Sequence, residues 1–170
     1  MRQAVGSTWI FGIVLAFTLI FSGFLVLALS YSKAYKLKNE MTSIIEKYEG
    51  ITKTDKKNNL GSIQIMNDYL KNSGYKAKGH CYLSEYTGKV YGVDNLSDNY
   101  LTEVTEANQS NNFYYCVSYN SDKKSCTTLF TITVFYDFNL PVLGDIRQYS
   151  VTGQTNEIYK AYFEDKQISC

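Results

Sequence analysis

The chain has 170 residues, 45% of them hydrophobic, and its 17 basic residues nearly balance its 16 acidic ones. This balance argues against nucleic acid or a polyanionic surface as the main partner, because proteins that bind such partners carry an excess of positive charge. About 120 residues follow Gly50, which is enough for one small domain with its own core.

An uncharged apolar run extends from Trp9 to Leu29. As an α-helix it would be about 30 Å long, which matches the hydrocarbon core of a bilayer. We therefore assign residues 1–30 to an N-terminal transmembrane anchor. A cleaved signal peptide is the alternative, because Arg2 gives a basic start and Ala28-Leu29-Ser30 is similar to a cleavage site. The apolar region of a signal peptide is usually about 7 to 15 residues long, so the length favours a retained anchor.

Residues 31–50 are predicted to continue the same helix as an amphipathic extension. Apolar residues recur there at spacings of three and four and so share one face; they are Ala34, Leu37, Met41, Ile44, Ile45 and Tyr48. Gly50 is a natural stop signal. The expected helix covers about residues 8 to 49, with one half in lipid and the other covered by a folded domain. A coiled coil is less favoured, because the pattern spans barely two heptads.

Residues 51–170 are assigned to one extracytoplasmic α+β domain. After a polar linker at 51–60, a short helix is predicted to begin with Ser62 as its cap and to end at Asn72-Ser73-Gly74. Strand-like segments then alternate with turns. The predicted strands are 75–83, 89–93, 100–106, 113–119, 126–136, 145–151 and 157–163, with turns at 140–144 and 152–154. Helices first and strands after predict an α+β fold with a small antiparallel sheet.

Tyrosine is abundant, at 16 of the 170 residues. Tyrosine is a good strand residue and suits half-buried sheet faces, which is the simpler explanation of its frequency. A partner-binding surface is the alternative, because tyrosine is enriched at protein interfaces.

Four cysteines, Cys81, Cys116, Cys126 and Cys170, all lie beyond the anchor. An even number of cysteines on one side of a membrane indicates an oxidising, extracytoplasmic compartment. A zinc site is the rival interpretation, but no Cys-x-x-Cys motif is present and His80 is the only histidine.

Four cysteines allow three disulfide pairings. We favour Cys116–Cys126, because a hairpin centred near Ser121 would place these two residues opposite each other, within reach of a disulfide. The second pair, Cys81–Cys170, follows by elimination and would hold the C-terminal end of the chain.

The basic residues around the apolar run favour the opposite topology. Lys33, Lys36 and Lys38 follow the span, whereas only Arg2 and the α-amino group precede it. By the positive-inside rule this distribution favours a cytoplasmic domain. The lysines also have a place on the polar face of an amphipathic helix, so we give the cysteines more weight. We predict a single-pass cell-membrane protein with an extracellular C-terminal domain.

The sequence contains no recognisable catalytic or cofactor-binding motif. His80 has no nucleophile motif beside it, and no phosphate-binding glycine loop is present. Asp94, Asp98 and Asn99 lie among turn residues, and their spacing matches no EF-hand loop. We expect no enzyme activity, no cofactor, no metal and no small-molecule substrate.

A short N-terminus, one apolar helix with an amphipathic half, and a small disulfide-bearing α+β domain resemble the layout of type IV pilin-like proteins. Within that superfamily the chain is similar to the TadE-like minor pilins, or pseudopilins, of tight-adherence (Tad) pilus systems. The similarity is carried by Gly6-Ser7-Thr8-Trp9, Leu37-Lys38-Asn39-Glu40, Ile44-Ile45-Glu46, Gly61-Ser62-Ile63 and residues 69–75, 131–134, 140–143 and 151–155.

The resemblance implies cleavage by a prepilin peptidase after a glycine, with a glutamate five residues further on. Gly6 matches the glycine, but Phe11 occupies the position of the glutamate. In a filament that glutamate is thought to neutralise the amino terminus of the next subunit. Its absence favours a minor, initiating or membrane-retained role over that of a major pilin.

Three hypotheses about function remain. The first is a structural protein that helps to assemble or prime a surface filament or secretion machine, with membrane lipid, other pilin-like subunits and assembly machinery as partners. Its spans would associate where Gly12, Ala16, Gly23 and Ala28 permit close approach. The second is a membrane-anchored extracellular binding module or adhesin outside a filament. The third is an anchored enzyme, which lacks any recognisable site.

Overall fold

The computed structural model describes residues 2–54, 60–83, 89–98, 100–140 and 144–168. Its longest element is helix α1, which has 46 residues and covers Arg2–Lys47. At about 1.5 Å per residue this helix is about 70 Å long. The prediction that one helix continues from the apolar run into the amphipathic half is confirmed, although the helix begins earlier and ends slightly sooner than expected.

The end of α1 does not depend on Gly50 in the way we predicted. The helix ends at Lys47, and Glu49 in the following turn has a φ of 54°, the left-handed conformation that commonly closes a helix. Gly50 begins strand β1 (Gly50–Ile51). A Cβ atom on Gly50 would lie 2.1 Å from the carbonyl oxygen of Tyr162, so glycine is needed here for close approach of two backbone segments.

The predicted short helix is present as α2, Ser62–Asn72. Gly61, not Ser62, holds the N-cap position, and it provides no side-chain cap. The buried Ser62 hydroxyl instead donates to the carbonyl oxygen of Gly50 over 2.9 Å, which ties the start of α2 to β1. The predicted stop is confirmed, since Gly74 follows the helix with a φ of 65°.

Within the described residues, eight further strands follow β1. They are β2 (Val90–Val93), β3 (Thr102–Glu103), β4 (Tyr115–Asp122), β5 (Thr127–Leu140), β6 (Gly144–Gln154), β7 (Ile158–Tyr159), β8 (Tyr162–Phe163) and β9 (Lys166–Gln167). The larger sheet is antiparallel in the order β3-β2-β4-β5-β6, and β7 pairs with β5 beyond the end of β6. A small sheet joins β1, β8 and β9, with β1 and β8 parallel. The predicted α+β fold with a mostly antiparallel sheet is confirmed.

The larger sheet carries apolar residues on both faces. Alternate residues of β5, namely Phe130, Ile132 and Val134, belong to the main core with α1 and α2. The intervening Phe135 and the neighbouring Cys116 of β4 belong to a second, smaller cluster. Because successive side chains of a strand point to opposite faces, the second cluster lies on the face away from the helices.

Residues 75–83 do not form the strand that we predicted. They cover the second cluster as an extended segment. Within the described residues, this segment pairs with the sheet at one isolated bridge, between Gly79 and Phe113, whose two N–H···O hydrogen bonds are both 2.7 Å long. A Cβ atom on Gly79 would lie 2.1 Å from the Phe135 ring. The segment thus lies flat on an aromatic ring instead of pairing along a strand. The predicted turn at 152–154 is also wrong, because β6 continues to Gln154.

A buried polar pair connects α2 to the sheet. The Tyr115 hydroxyl donates to Oδ1 of Asn67 over 3.0 Å, and Nδ2 of Asn67 donates to the carbonyl oxygen of Asp98 over 3.2 Å. We expect Tyr115→Phe to lower the free energy of unfolding by about 1–3 kcal/mol, because it leaves a buried amide oxygen without its donor. Chemical denaturation of the detergent-solubilised chain would measure this loss. Tyr159→Phe, at an exposed tyrosine, is the matched control, and equal effects of both variants would contradict the prediction.

Three tyrosines should make the fold sensitive to alkali. Burial raises the pKa of Tyr115 and of Tyr75, and it raises the pKa of Tyr91 to about 12. A raised pKa means that the folded state holds the phenolic proton more tightly, so stability is complete below about pH 10 and falls above it. For the fully buried Tyr115 the slope approaches about 1.4 kcal/mol per pH unit.

We therefore expect two phases when tyrosinate absorbance and far-ultraviolet circular dichroism are followed together above neutral pH. Exposed tyrosines should ionise first with the fold intact, and the buried ones only as the fold is lost. A single ionisation phase that leaves the circular dichroism unchanged would contradict this expectation.

Candidate functional site

Most of the first half of α1 is not covered by the folded domain, although Gly23 is buried and Val26 and Leu27 are half-buried. Most of its large apolar side chains from Trp9 to Leu29 are exposed, between 46% for Leu25 and 73% for Ile20. A window of this helix has a mean hydropathy of 2.7, and it is the one helix in the described part of the chain that is long and apolar enough to cross a membrane. A signal sequence meets the same criteria. The chain thus carries a candidate membrane anchor.

The four small residues predicted as a helix assembly surface do not share one face. With 3.6 residues per turn, Gly12, Ala16 and Gly23 lie within about 40° of one another, whereas Ala28 is about 160° away from Gly12. Gly12 and Ala16 are exposed, but Gly23 is buried. The exposed small patch therefore consists of Gly12 and Ala16. Its face continues towards Ala34, where the domain packs.

The second half of α1 is embedded in the domain. Four residues of the predicted stripe are at most 2% exposed and belong to the buried core; they are Ala34, Leu37, Met41 and Ile45. Ile44 and Tyr48 are partly buried. Near the C-terminal end of α1, the Glu46 carboxylate accepts two hydrogen bonds from Asn156. The backbone N–H of Asn156 donates over 2.7 Å and the side-chain amide of Asn156 donates over 3.1 Å. The predicted packing of the amphipathic half against the sheet is confirmed.

Strand β6 runs beside α1 in the same direction. Just after the end of β6, Asn156 is hydrogen-bonded to Glu46 of the helix. Within β6, Gly153 lies against Lys38, and a Cβ atom on this glycine would be 2.2 Å from Cδ of the lysine. Towards the start of β6, the ring of Tyr149 contacts the ring of Tyr136, which in turn contacts the ring of Tyr31. Tyr149 therefore lies near Tyr31 along the axis of α1. From Tyr31 to Glu46 the helix advances about 22 Å, and from residue 149 to 156 a strand advances about 23 Å. The start of β6 therefore lies at the anchor end of the domain.

Four aromatic rings meet at this end, and we call them the tyrosine cluster: Tyr31, Tyr35, Tyr136 and Tyr149. The ring centroids of Tyr31 and Tyr35 are 6.2 Å apart, and those of Tyr31 and Tyr136 are 6.0 Å apart. Tyr136 stacks on Tyr149 at 5.5 Å. The cluster thus joins α1 to both β5 and β6, immediately beyond the apolar run.

The strand register explains why these rings meet. Tyr136 and Tyr149 are paired across β5 and β6, and Tyr136 follows Val134 on the face that covers α1. Partial burial, then the neighbouring Tyr149 and Tyr31, raise the pKa of Tyr136. On the helix, Nζ of Lys38 lies 4.3 Å from the ring centroid of Tyr35. The face of the sheet that covers α1 therefore carries aliphatic side chains in its middle and tyrosine rings at the end nearest the anchor.

The cysteines are paired differently from our prediction. Cys81 is bonded to Cys116, with 5.7 Å between their Cα atoms, so the favoured pairs Cys116–Cys126 and Cys81–Cys170 are wrong. Cys126 is also disulfide-bonded, and no described cysteine is free. Cys170 lies outside the described residues.

The wrong pairing came from the position of the hairpin turn. The hairpin of β4 and β5 exists, but its last pair is Asp122 with Thr127, so the turn lies later than Ser121. Cys116 therefore faces Thr133 across the ladder. Cys126 lies in the turn itself, with a φ of 57°.

The residues considered for chemistry have structural partners. Nδ1 of His80 lies 3.1 Å from the carbonyl oxygen of Asn111. In the turn after β2, Nδ2 of Asn95 donates to Oδ2 of Asp98 over 2.8 Å. Asn99 lies outside the described residues, and within the described ranges no group of three or more His, Cys, Asp or Glu side chains could hold a metal ion.

Comparisons with protein families, curated proteins and solved structures find no match for this chain. The tyrosine cluster is the surface that sequence analysis missed. The signal available in the sequence was the pair Tyr31 and Tyr35, which are four residues apart directly after the apolar run. Tyr136 and Tyr149 are brought to this pair by the folding of the sheet.

Proposed function

We propose that this is a membrane-anchored, pilin-like structural protein that helps to assemble or prime a Tad or type IV-like surface filament or secretion machine. One observation carries the proposal: α1 is a single helix whose exposed half is apolar and whose other half forms part of the domain core. Such a helix couples a domain rigidly to its anchor. Side-by-side packing of anchors then sets the positions of the domains, which is what a fibre or a priming complex requires.

The proposed assembly contact is the patch of Gly12 and Ala16, where a second helix can approach closely. Phe11, next to this patch, is 65% exposed and is available for contact with lipid or another span. Because it occupies the position of the expected glutamate, we propose a minor or initiating role. Gly6 lies within α1, and its role as a prepilin cleavage site stays a prediction.

The proposed location of the domain is the cell surface. The Cys81–Cys116 disulfide supports it, because disulfides persist mainly in oxidising compartments. A membrane-impermeant thiol reagent applied to intact cells should modify the cysteines only after reduction. Labelling that requires lysis but no reductant would contradict the extracellular location.

Crosslinking within the span tests the assembly role. We suggest Ala16→Cys, with Val14→Cys as the matched control, since the two positions have similar depth but lie about 160° apart around the helix. In cells that make the apparatus, Ala16→Cys should capture pilin-like subunits and Val14→Cys far less. Recovery of monomer alone from both variants would contradict the proposal. Normal filaments after deletion of the gene would instead favour the membrane-anchored binding module.

A further inference from the structure

The tyrosine cluster lies at a defined height above the apolar run. Tyr31 follows Leu29 by two residues, which is about 3 Å along the helix axis. If the apolar run occupies the hydrocarbon core, the Tyr31 ring lies in the adjoining headgroup layer. Tyr136 and Tyr149 are linked to this ring by centroid distances of 6.0 Å and 5.5 Å, so part of the folded domain lies in the same layer.

The chemistry of the cluster suits that layer. Tyr31, Tyr35 and Tyr149 are between 39% and 47% exposed, although they stack in one cluster. A half-exposed tyrosine has an apolar ring and a polar hydroxyl, and tyrosine is enriched where membranes meet water. Two exposed lysines, Lys33 and Lys36, lie on the same stretch of α1. Basic side chains just outside a span are attracted to lipid phosphates.

We propose that the tyrosine cluster, together with Lys33 and Lys36, is a second lipid-binding surface that seats the domain on the phospholipid headgroups of the bilayer that holds α1. The inference rests on the proposed membrane anchorage. Its occupant is the headgroup layer, because the cluster is continuous with the apolar half of α1. The cluster contains residues of α1, β5 and β6, so seating these rings restrains rotation of the whole domain about the anchor.

Depth-dependent fluorescence quenching tests the proposal on the full chain. Trp9 is the one tryptophan, so Trp9→Phe gives a background without tryptophan. On it, Tyr149→Trp and Tyr35→Trp report on the cluster, and Tyr159→Trp is the matched control. Tyr159 is exposed and pairs with Thr127, at the end of the sheet away from the anchor. The proteins are reconstituted in vesicles of phosphatidylcholine and phosphatidylglycerol with a nitroxide either on the headgroup or deep in the acyl chain.

The proposal predicts that the Tyr149→Trp and Tyr35→Trp reporters lose most of their emission with the headgroup nitroxide and less with the deep one. The Tyr159→Trp reporter should lose little with either. Circular dichroism checks that each variant is folded, and the two cluster reporters on different elements guard against local distortion. Because the vesicles contain no other protein, any loss reports contact with lipid.

Two negative outcomes have different meanings. If cluster reporters are quenched no more than the Tyr159→Trp control while Trp9 of the unsubstituted chain is quenched, the chain is inserted but its cluster stands clear of lipid, and this inference alone is overturned. If Trp9 itself is not quenched by either nitroxide, the anchorage fails and the proposed function fails with it.

Discussion

A fragment of residues 48–170 is expected not to fold, whereas a fragment of residues 31–170 is expected to fold as a soluble domain. The difference between them is the second half of α1, which contributes Leu37, Met41 and Ile45 to the core at no more than 2% exposure. Burial of three such side chains contributes roughly 5–9 kcal/mol. That is comparable to the whole stability of a small domain, about 5–15 kcal/mol.

Cooperative thermal unfolding followed by circular dichroism would measure this difference. Within the 31–170 fragment, Met41→Ala should lower the free energy of unfolding by about 2–5 kcal/mol, because it opens a cavity in the core. Ser43→Ala, at an exposed position of the same helix, is the control and should stay within about 0.5 kcal/mol. A sharp unfolding transition in the 48–170 fragment would show that the sheet folds without the helix.

Loss of the disulfide is the second large expected effect. Cys81→Ala with Cys116→Ala should lower the free energy of unfolding by about 4 kcal/mol, since the bond closes a loop with a sequence separation of 35. Alanine is chosen because both cysteines are buried. The segment over the second cluster would then be held by the Gly79–Phe113 bridge and by the hydrogen bond from the Tyr75 hydroxyl to the Phe135 carbonyl oxygen.

Chemical denaturation under non-reducing conditions would measure this loss. Tyr82→Ala is the matched control, because it changes an exposed residue beside Cys81 and leaves the covalent link intact. It should have little effect. A loss below about 1 kcal/mol in the double variant would mean that the segment holds its place through packing alone.

The periodicity of α1 was sufficient to predict its course and its buried face. Ala34, Leu37, Met41 and Ile45 repeat with the helical period, and no tertiary information is needed to see that they share a face. Strand β5 could also be predicted, because β-branched and aromatic residues are dense in it.

The register of the β4–β5 hairpin could not be predicted, and the disulfide pairing failed with it. The polar segment between the strands is long enough for several turns. The actual turn depends on the Asp122 carboxylate, which accepts the Lys124 backbone N–H over 2.8 Å and the Ser125 hydroxyl over 3.0 Å. These bonds hold the pKa of Asp122 below its usual value. A side chain that bends the backbone two residues ahead fixes the register locally.

The tyrosine cluster could not be predicted for a different reason. Its two halves are about 100 residues apart in the chain, and tyrosine at strand positions is explained equally well by an ordinary half-buried face. Only the pairing of Tyr136 with Tyr149, and the course of β6 beside α1, bring the rings to the end of the apolar run.

Because α1 is one unbroken helix, a change in its tilt would move the domain that packs on its second half. Membrane-spanning helices tilt by about 20° on average and change their tilt when bilayer thickness changes. The stretch from Leu29 to Lys47 is about 27 Å long, so such a tilt carries its far end about 9 Å sideways. With no flexible joint within α1 between anchor and sheet, a thicker or thinner bilayer would redirect the whole domain. For the membrane-anchored protein that we propose, bilayer thickness would thereby influence which other subunits the domain can contact.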